Sequence, residues 1–450
     1  MPFLKKIINK HTISLATNAA MPVIGMLVLS LMARSLSAEG FGNYIFFLIA
    51  FTLADLFRTG FLQTSLVKFY AGAGPARALN MAGSAWAVGL ILTFTIVLAD
   101  LLLYFFYNGA NIEMQITLKW FSIIYICTLP SNIAGWLLLA EERFNKLFLY
   151  QLFNQGSFLV FILILIFLKN ISFQTAVYAY CASALATSLL CVLAGWSKVH
   201  SIKNRSLAAM KEIAHFGKFS VGTSISSYLL RSSDTFIIKL MFRPEMVAVY
   251  YIPQRLMEIF EIPMRSFVAT ALPELSAAKQ RGDEAQVAII MKRYAGMLTV
   301  ALIPVAIGAF VLAGVGINLL FGEKYEQSDA VNIFRIFMCY VMLMPIDRFF
   351  GITLDIINKP HLNMTKVILM LAVNIIADFI GIWVFKNLYG VAIASLFTFL
   401  TGAVFGYWAL AQNLKFTITD IFSVGFQQLK TTINNFLHKA KPNEPLHGGR

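Results

Sequence analysis

The chain alternates long apolar segments with short polar connections as far as residue 412. Each apolar segment is at least as long as the ~20 residues that a helix needs to cross the ~30 Å hydrocarbon core of a bilayer. The predicted spans cover residues 12–34, 41–66, 81–106, 116–140, 147–168, 174–197, 219–242, 247–272, 294–320, 329–355, 364–385 and 390–412. The pattern predicts an all-α polytopic membrane protein with about 12 transmembrane helices.

Basic residues are distributed unevenly over the connections between these spans. If the N-terminus is cytoplasmic, the inner loops and tails carry 23 Lys and Arg residues and the outer turns carry 7. The positive-inside rule then predicts a multi-pass protein of the cell inner (plasma) membrane with both termini cytoplasmic. The net charge of +14 is explained by anionic lipid of the inner leaflet, so we expect membrane lipids and no nucleic acid as partners.

The composition is that of a membrane protein. The chain is 58% hydrophobic and only 13% charged, whereas an ordinary soluble domain is about 25% charged. The four cysteines lie in apolar spans without metal-ligand spacing, so we expect neither a metal site nor a disulfide. The sequence has no P-loop, and no large loop with catalytic acids, so we expect no enzyme activity and no cofactor.

The spans are predicted to form two lobes. The longest inner connection is basic, lies near the midpoint of the chain and looks like a linker. A weak internal repeat supports this division, because one shift aligns Tyr44 with Tyr250 and Asp55 with Glu261, and Pro130 and Pro345 fall mid-span in spans four and ten. The predicted domains are an N-terminal six-helix lobe (1–197), a cytoplasmic linker (198–218), a C-terminal six-helix lobe (219–412), and a cytoplasmic amphipathic helix and tail (413–450).

Apolar residues recur every three or four positions between Ile418 and Leu437. This spacing predicts an amphipathic helix. The helix either lies on the cytoplasmic membrane surface or packs on the base of the protein itself, and the sequence does not decide between the two placements.

Several ionisable residues fall inside the predicted spans, where an exposed charge is costly. The intramembrane charged residues that are candidates for a functional site are Asp55, Arg58, Arg231, Asp234, Arg255, Glu258, Glu261, Arg265 and Arg335. These residues either face a shared wet lumen or form ion pairs within their own helices, because all except Arg335 have an opposite charge three or four residues away.

Short motifs in both halves resemble those of oligosaccharide flippases. The motifs are Ala33-Arg34-Ser-Leu-Ser-Ala-Glu39-Gly-Phe-Gly42-Asn-Tyr44, Leu53-Ala-Asp55 with Gly60, Glu141-Glu-Arg143-Phe-Asn-Lys146, Arg231-Ser-Ser-Asp234, and Pro244-Glu245 through Tyr250. On these residues the chain resembles the Wzx-type polysaccharide transporters of the multidrug/oligosaccharidyl-lipid/polysaccharide exporter superfamily. The resemblance covers the full chain, and it specifies the superfamily but not the glycan.

The resemblance implies two six-helix bundles around a V-shaped central cavity that opens alternately to either side. The implied function is a flippase that moves a polyprenyl-diphosphate-linked oligosaccharide from the inner to the outer leaflet for assembly of a surface polysaccharide such as lipopolysaccharide O-antigen. Polysaccharide polymerase machinery would be a partner. The coupling ion would be H⁺ or Na⁺, and the glycan, energy source and oligomeric state stay open.

This implied cargo gives the charged residues candidate roles. A diphosphate is matched by the planar fork of arginine, so the candidate substrate-binding residues are Arg58, Arg231, Arg255, Arg265 and Arg335. The candidate ion-coupling residues are Asp55, Asp234, Glu258 and Glu261.

Three other functions compete with this one. An ion-coupled multidrug exporter of the same fold class is the nearest alternative, and it would favour an acidic or aromatic cavity. A membrane glycan polymerase or glycosyltransferase would need a sizeable catalytic loop. A non-transporting scaffold would not need so many charges within the bilayer.

Overall fold

The chain folds into α-helices that are joined by short turns. The computed structural model describes residues 10–107, 109 and 111–439, and the predicted tail beyond Lys439 lies outside these described residues. The helices of the first half are α1 (Lys10–Ser35), α2 (Ala38–Tyr70), α3 (Pro75–Phe106), α4 (Ile112–Cys127), α5 (Leu129–Ala140), α6 (Phe144–Phe167), α7 (Phe173–Leu193) and α8 (Leu207–Met241). Those of the second half are α9 (Pro244–Gln280), α10 (Glu284–Val311), α11 (Ala313–Phe321), α12 (Glu323–Glu326), α13 (Ala330–Tyr340), α14 (Leu343–Ile356), α15 (Pro360–Phe385), α16 (Leu388–Ala411) and α17 (Ile418–Lys439). The predicted all-α fold class is confirmed.

Capping residues mark the N-termini of several of these helices. Ser37 precedes α2, and its hydroxyl accepts a hydrogen bond of 3.0 Å from the backbone N–H of Gly40. Asp283 caps α10 in the same way through the N–H of Gln286 at 2.9 Å. The residue before it, Gly282, has φ 73°, a left-handed conformation that glycine adopts without strain. A tight turn at Gly282 therefore separates α9 from α10.

The number of spans depends on how bent helices are counted. Seven described helices are individually long and apolar enough to cross a membrane, or nine if each of two bent helix pairs is one span. The pair α4 and α5 bends by 41° beside Pro130, and the pair α13 and α14 bends by 49° beside Pro345. Proline removes a backbone hydrogen bond and kinks a helix, which accounts for both bends.

Three further predicted spans correspond to α1, α8 and α9. The helices α8 and α9 have 35 and 37 residues, which is more than enough to cross a bilayer. Of the ionisable residues singled out above, α8 carries two and α9 carries four, and these lower the apolar character of both helices. The count of twelve spans stays a prediction.

The chain divides into two compact units, residues 1–248 and 249–450. Unit 1 contains α1 to α8, so it extends one helix beyond the predicted N-terminal lobe, and the arrangement of six helices plus six stays a prediction. Unit 1 includes α8 because α8 packs along α2 and the connection before α8 packs on α3. The indole N–H of Trp86 on α3 donates to the carbonyl of Ser197 at 2.7 Å, and the N–H of Ser206 donates to the hydroxyl of Ser84 at 3.1 Å.

Unit 2 is held together by helix crossings at glycine. A Cβ added to Gly381 of α15 would lie 2.5 Å from the carbonyl oxygen of Gly390 of α16. A Cβ added to Gly296 of α10 would lie 1.9 Å from the carbonyl oxygen of Ile421 of α17, beside Gly425. The predicted C-terminal helix therefore packs on the protein's own α10, which is the second of the two placements left open by the sequence.

Candidate functional site

Arg58 lies at the centre of a buried polar cluster in unit 1. Its side chain is 0% exposed, although it is a charged residue in a helix of membrane length. The Nε group donates to Oδ1 of Asp55 at 3.0 Å, and the two terminal nitrogens donate at 2.7 Å to the carbonyl of Tyr125 and to the hydroxyl of Thr128. The guanidinium also lies 4.1 Å from the centre of the Tyr125 ring. All these partners belong to the protein, so Arg58 contributes no exposed donor for a cargo phosphate.

The break between α4 and α5 explains why an arginine is buried there. α4 ends at Cys127, and Pro130 in the first turn of α5 has no N–H to donate. Carbonyl groups at the end of α4 therefore lack helical partners, and a buried unsatisfied carbonyl is costly. Arg58 supplies a donor to one of them, the carbonyl of Tyr125.

Asp55 is a partly exposed member of this cluster. Its side chain is 22% exposed and pairs with Arg58 one helical turn away. The carboxylate also accepts hydrogen bonds of 3.3 Å from the amide of Asn132 and of 3.2 Å from the hydroxyl of Thr59. Partly exposed amide, hydroxyl and carboxylate groups thus gather at mid-span on α2 and α5.

Two more of the predicted site residues lie on α8 of unit 1. Arg231 is exposed, whereas Asp234 is buried next to Ser232 and Ser233. Both residues lie in the C-terminal half of α8, which packs along α2. Arg231 is therefore the exposed cation of the predicted set in unit 1.

Four predicted residues lie within three turns of α9 in unit 2. Arg255 forms an ion pair with Glu258, and Arg265 forms one of 2.9 Å with Glu261. These are the pairs that the spacings of three and four residues allow. Each pair keeps partly exposed atoms, and Arg265 is the most exposed of the four side chains at 66%.

Arg335 on α13 of unit 2 is held by neutral groups. Its Nε donates to the carbonyl of Phe310 at 3.4 Å, and a terminal nitrogen donates to the side-chain carbonyl of Asn332 at 3.1 Å. The guanidinium lies 5.6 Å from the centre of the Phe310 ring. Arg335 thus anchors α13 to the end of α10 and keeps part of its surface exposed.

Sequence reasoning missed a buried ion pair in unit 2. Lys366, near the start of the predicted span 364–385, is only 3% exposed and lies in α15. Its ammonium group is 2.7 Å from a carboxylate oxygen of Asp347 and donates to the carbonyl of the same residue at 2.9 Å. The partners are 19 residues apart on different helices, so no local spacing reveals the pair.

A charged cluster at the end of α5 includes part of the Glu141-to-Lys146 motif. Glu141 accepts from Lys198 at 2.5 Å and from the Tyr70 hydroxyl at 2.6 Å, and it pairs with Arg143 at 3.0 Å beside a cavity of about 480 Å³. Burial disfavours the ionised form of Glu141, but these hydrogen bonds outweigh it and lower the pKa of the carboxyl. Burial likewise disfavours the charged form of Lys198, yet the same contacts raise the pKa of its ammonium group. The cluster therefore holds together three chain segments, which are the end of α2, the turn after α5 and the connection before α8.

The sequence matches a protein family over most of its length. The model of the family described as "Polysaccharide biosynthesis protein" matches residues 31–330. A relative from Haloferax volcanii, named as a probable low-salt glycan biosynthesis flippase, is 23% identical over 242 residues, which are 53% of this chain. The chain spans about half the length of this curated relative, 51%.

Solved structures of two kinds of transporter have a similar fold. The lipid II flippase MurJ in an inward closed conformation matches with a TM-score of 0.70 and 15% identity, over 95% of this chain and 93% of that one. An inward-facing multidrug resistance transporter of the MATE family, from the MOP superfamily, matches with a TM-score of 0.68 and 16% identity, over 87% of this chain and 95% of that one. At this identity the likeness shows the fold alone.

Proposed function

The chain belongs to the polysaccharide biosynthesis protein family, and from this premise we propose that it is a flippase of lipid-linked glycans. It moves a polyprenyl-diphosphate-linked oligosaccharide from the inner to the outer leaflet by alternating access. The product is a surface polysaccharide of the O-antigen type, and polysaccharide polymerase machinery is the partner that receives the cargo. The relative named as a glycan biosynthesis flippase supports this proposal.

The observation that carries the proposal is the exposure of ionisable side chains in long transmembrane-type helices. Asp55 is 22% exposed in α2, and Arg231 is exposed in α8. An ionised group at the centre of a span costs roughly 3 kcal/mol or more when it faces lipid. These two groups are therefore expected to face water or a polar cargo, as the interior of a flippase requires.

The arginines with exposed atoms are the proposed diphosphate ligands. They are Arg231, Arg255, Arg265 and Arg335, and Arg58 is left out of this role because its donors are used within unit 1. The planar guanidinium matches two phosphate oxygens at once, which an ammonium group does not.

The acids beside these arginines are the proposed coupling groups. Glu258 and Glu261 each pair with an arginine of α9, and Asp234 lies one turn from Arg231. When H⁺ or Na⁺ neutralises such an acid, the neighbouring guanidinium loses its ion-pair partner and becomes available to phosphate. Asp55 has a different position, because its arginine is buried and stays bound to Tyr125 and Thr128.

An ion-coupled multidrug exporter is the second candidate, and the likeness to MATE transporters favours it at the level of fold. Deleting the gene separates the two functions. We expect lipid-linked oligosaccharide to accumulate in the cells, surface polysaccharide to disappear, and susceptibility to cationic drugs to stay unchanged. Normal surface polysaccharide together with increased drug susceptibility would contradict the flippase.

A further inference from the structure

The helices α2 and α8 pack against each other and form a two-helix wall in unit 1. A Cβ added to Gly60 of α2 would lie 2.8 Å from Cα of Val221, and one added to Gly217 of α8 would lie 2.7 Å from Cα of Phe61. Near the other end of the pair, the Tyr228 hydroxyl donates to the carbonyl of Ile49 at 3.0 Å. The two backbones are thus in close contact at Gly60 and Gly217, and a side-chain hydrogen bond joins the helices near the other end.

One face of α2 carries a row of polar side chains, which we call the α2 row. It consists of Thr52, Asp55, Thr59 and Gln63, spaced three or four residues apart and therefore on one side of the helix. All four are partly or fully exposed, although they lie in a helix of membrane length. A row with a carboxylate in it does not face lipid.

A second row, the α8 row, follows the same spacing on α8. It consists of Ser220, Ser224 and Ser227 and continues to the exposed Arg231. The antiparallel packing of the helices turns both rows to the same side of the wall. A hydrogen bond of 3.0 Å between Thr64 and Ser220 joins the two helices at the end where Gln63 lies.

The two rows together, which we call the polar band, are nearly neutral. The charge of Asp55 is balanced by the buried Arg58, and the side-chain amide of Asn132 donates to the same carboxylate. Apart from Arg231 at its end, the band offers hydroxyl and amide groups, which donate and accept, and the Asp55 carboxylate, which accepts. Such a surface suits an uncharged ligand rich in hydroxyl groups better than it suits a diphosphate or an apolar drug.

We propose that the polar band binds the sugar hydroxyls of the cargo, and that Arg58 is a positioning residue which holds the Asp55 carboxylate at this surface. The inference rests on the proposed function and deepens it, because it separates a sugar subsite on unit 1 from the diphosphate ligands. Arg231 marks the end of the band at which the sugar chain meets the diphosphate.

Two double variants test the band one row at a time. Thr59→Val with Gln63→Leu removes hydrogen-bonding groups from the α2 row at nearly constant volume, and Ser224→Ala with Ser227→Ala does so in the α8 row. The matched control is Thr95→Val on α3. Thr95 is exposed among apolar neighbours, and its hydroxyl bonds only its own helix, to the carbonyl of Ile91 at 3.0 Å.

The measurement is the binding of two probes to the purified full-length protein in detergent. One probe is the lipid-linked oligosaccharide extracted from cells that lack the gene, and the other is a polyprenyl diphosphate without sugars. We expect each double variant to bind the glycan-bearing lipid about tenfold more weakly, as the loss of a net hydrogen bond predicts. Binding of the sugar-free lipid stays unchanged, and the control matches the wild type with both probes.

Each other outcome overturns a defined part of the account. If the wild type binds both lipids equally, or if the double variants bind the glycan-bearing lipid as the wild type does, the sugar subsite is wrong and the flippase proposal stands. If the variants lose affinity for both lipids by the same factor, the band is not specific for sugar. If the wild type binds neither lipid, the proposed function fails and the subsite with it.

Discussion

Arg58 shows that an arginine in a membrane span can be a structural group. Its three hydrogen-bonding nitrogens are used by Asp55, by the carbonyl of Tyr125 and by Thr128, and the side chain is fully buried. The spacing along α2 predicts the first of these partners. The other two lie 67 and 70 residues away in the sequence, so only the fold identifies them.

This cluster leads to a stability prediction. Replacing Arg58 by Ala removes one donor each from the Asp55 carboxylate, the Tyr125 carbonyl and the Thr128 hydroxyl and leaves the carboxylate without its cation. Breaking a buried pair in this way costs about 3–5 kcal/mol. We therefore expect Arg58→Ala to lower protein abundance and the apparent Tm in detergent. The double variant Arg58→Leu with Asp55→Asn removes both charges and regains much of the loss.

The abundance and Tm of these variants distinguish structure from cargo binding. If Arg58→Ala keeps a normal abundance and Tm but abolishes surface polysaccharide, Arg58 contacts the cargo and the structural explanation is wrong. Thr95→Val, in which an exposed side chain of α3 changes, serves as the control and is expected to keep both quantities.

At the scale of helices, apolar periodicity predicted most elements, because membrane spans are long and their connections short. It predicted α17 as amphipathic but not its partner. That partner is fixed by Gly296, a glycine inside an apolar span, which lets the two backbones approach. A lone glycine in a span has no visible pattern, so the contact could not be read from the sequence.

A pair of glycine variants on one helix tests this crossing. Gly296→Ala places a methyl group against the carbonyl of Ile421, so α17 has to move away from α10. Gly308→Ala is the matched control, since a Cβ there meets no atom within 4 Å. We expect Gly296→Ala to lower the apparent Tm by several degrees and to expose α17 to protease.

The control is expected to behave differently. Gly308→Ala should keep or raise the Tm, because alanine favours the helix by about 1 kcal/mol over glycine. Equal behaviour of the two variants in Tm and proteolysis would contradict a tight α10–α17 contact.

At the scale of the whole molecule, the sequence predicted the all-helical membrane class, and it showed a mid-span proline in each of the two spans that bend, Pro130 and Pro345. It did not predict that α8 joins the helices of unit 1. The internal repeat indicates a boundary before α8, whereas close backbone packing at Gly60 and Gly217 places α8 on α2. An internal repeat reflects the order of the helices along the chain, whereas a compact unit depends on which helices pack against each other.

The candidate site was predictable only in part. The residue types and the pairs on α9 follow from local spacing, because each partner is within four residues. The exposure of a side chain depends on distant helices, so the sequence did not separate the buried Arg58 from the exposed Arg231. The neutral polar band also went unnoticed, because serine and threonine are common in spans and become informative only when their exposure is known.

The most direct test of the central claim is transbilayer movement in proteoliposomes. Purified protein is reconstituted with lipid-linked oligosaccharide in both leaflets, and an impermeant glycosidase is added outside. Without protein, the glycosidase digests only the cargo of the outer leaflet. The flippase account predicts that wild-type protein makes the inner-leaflet cargo accessible as well, and that an imposed H⁺ or Na⁺ gradient changes the rate. If folded protein leaves the inner-leaflet cargo protected while a cationic drug crosses the same membranes, the chain is a drug exporter and the account is contradicted.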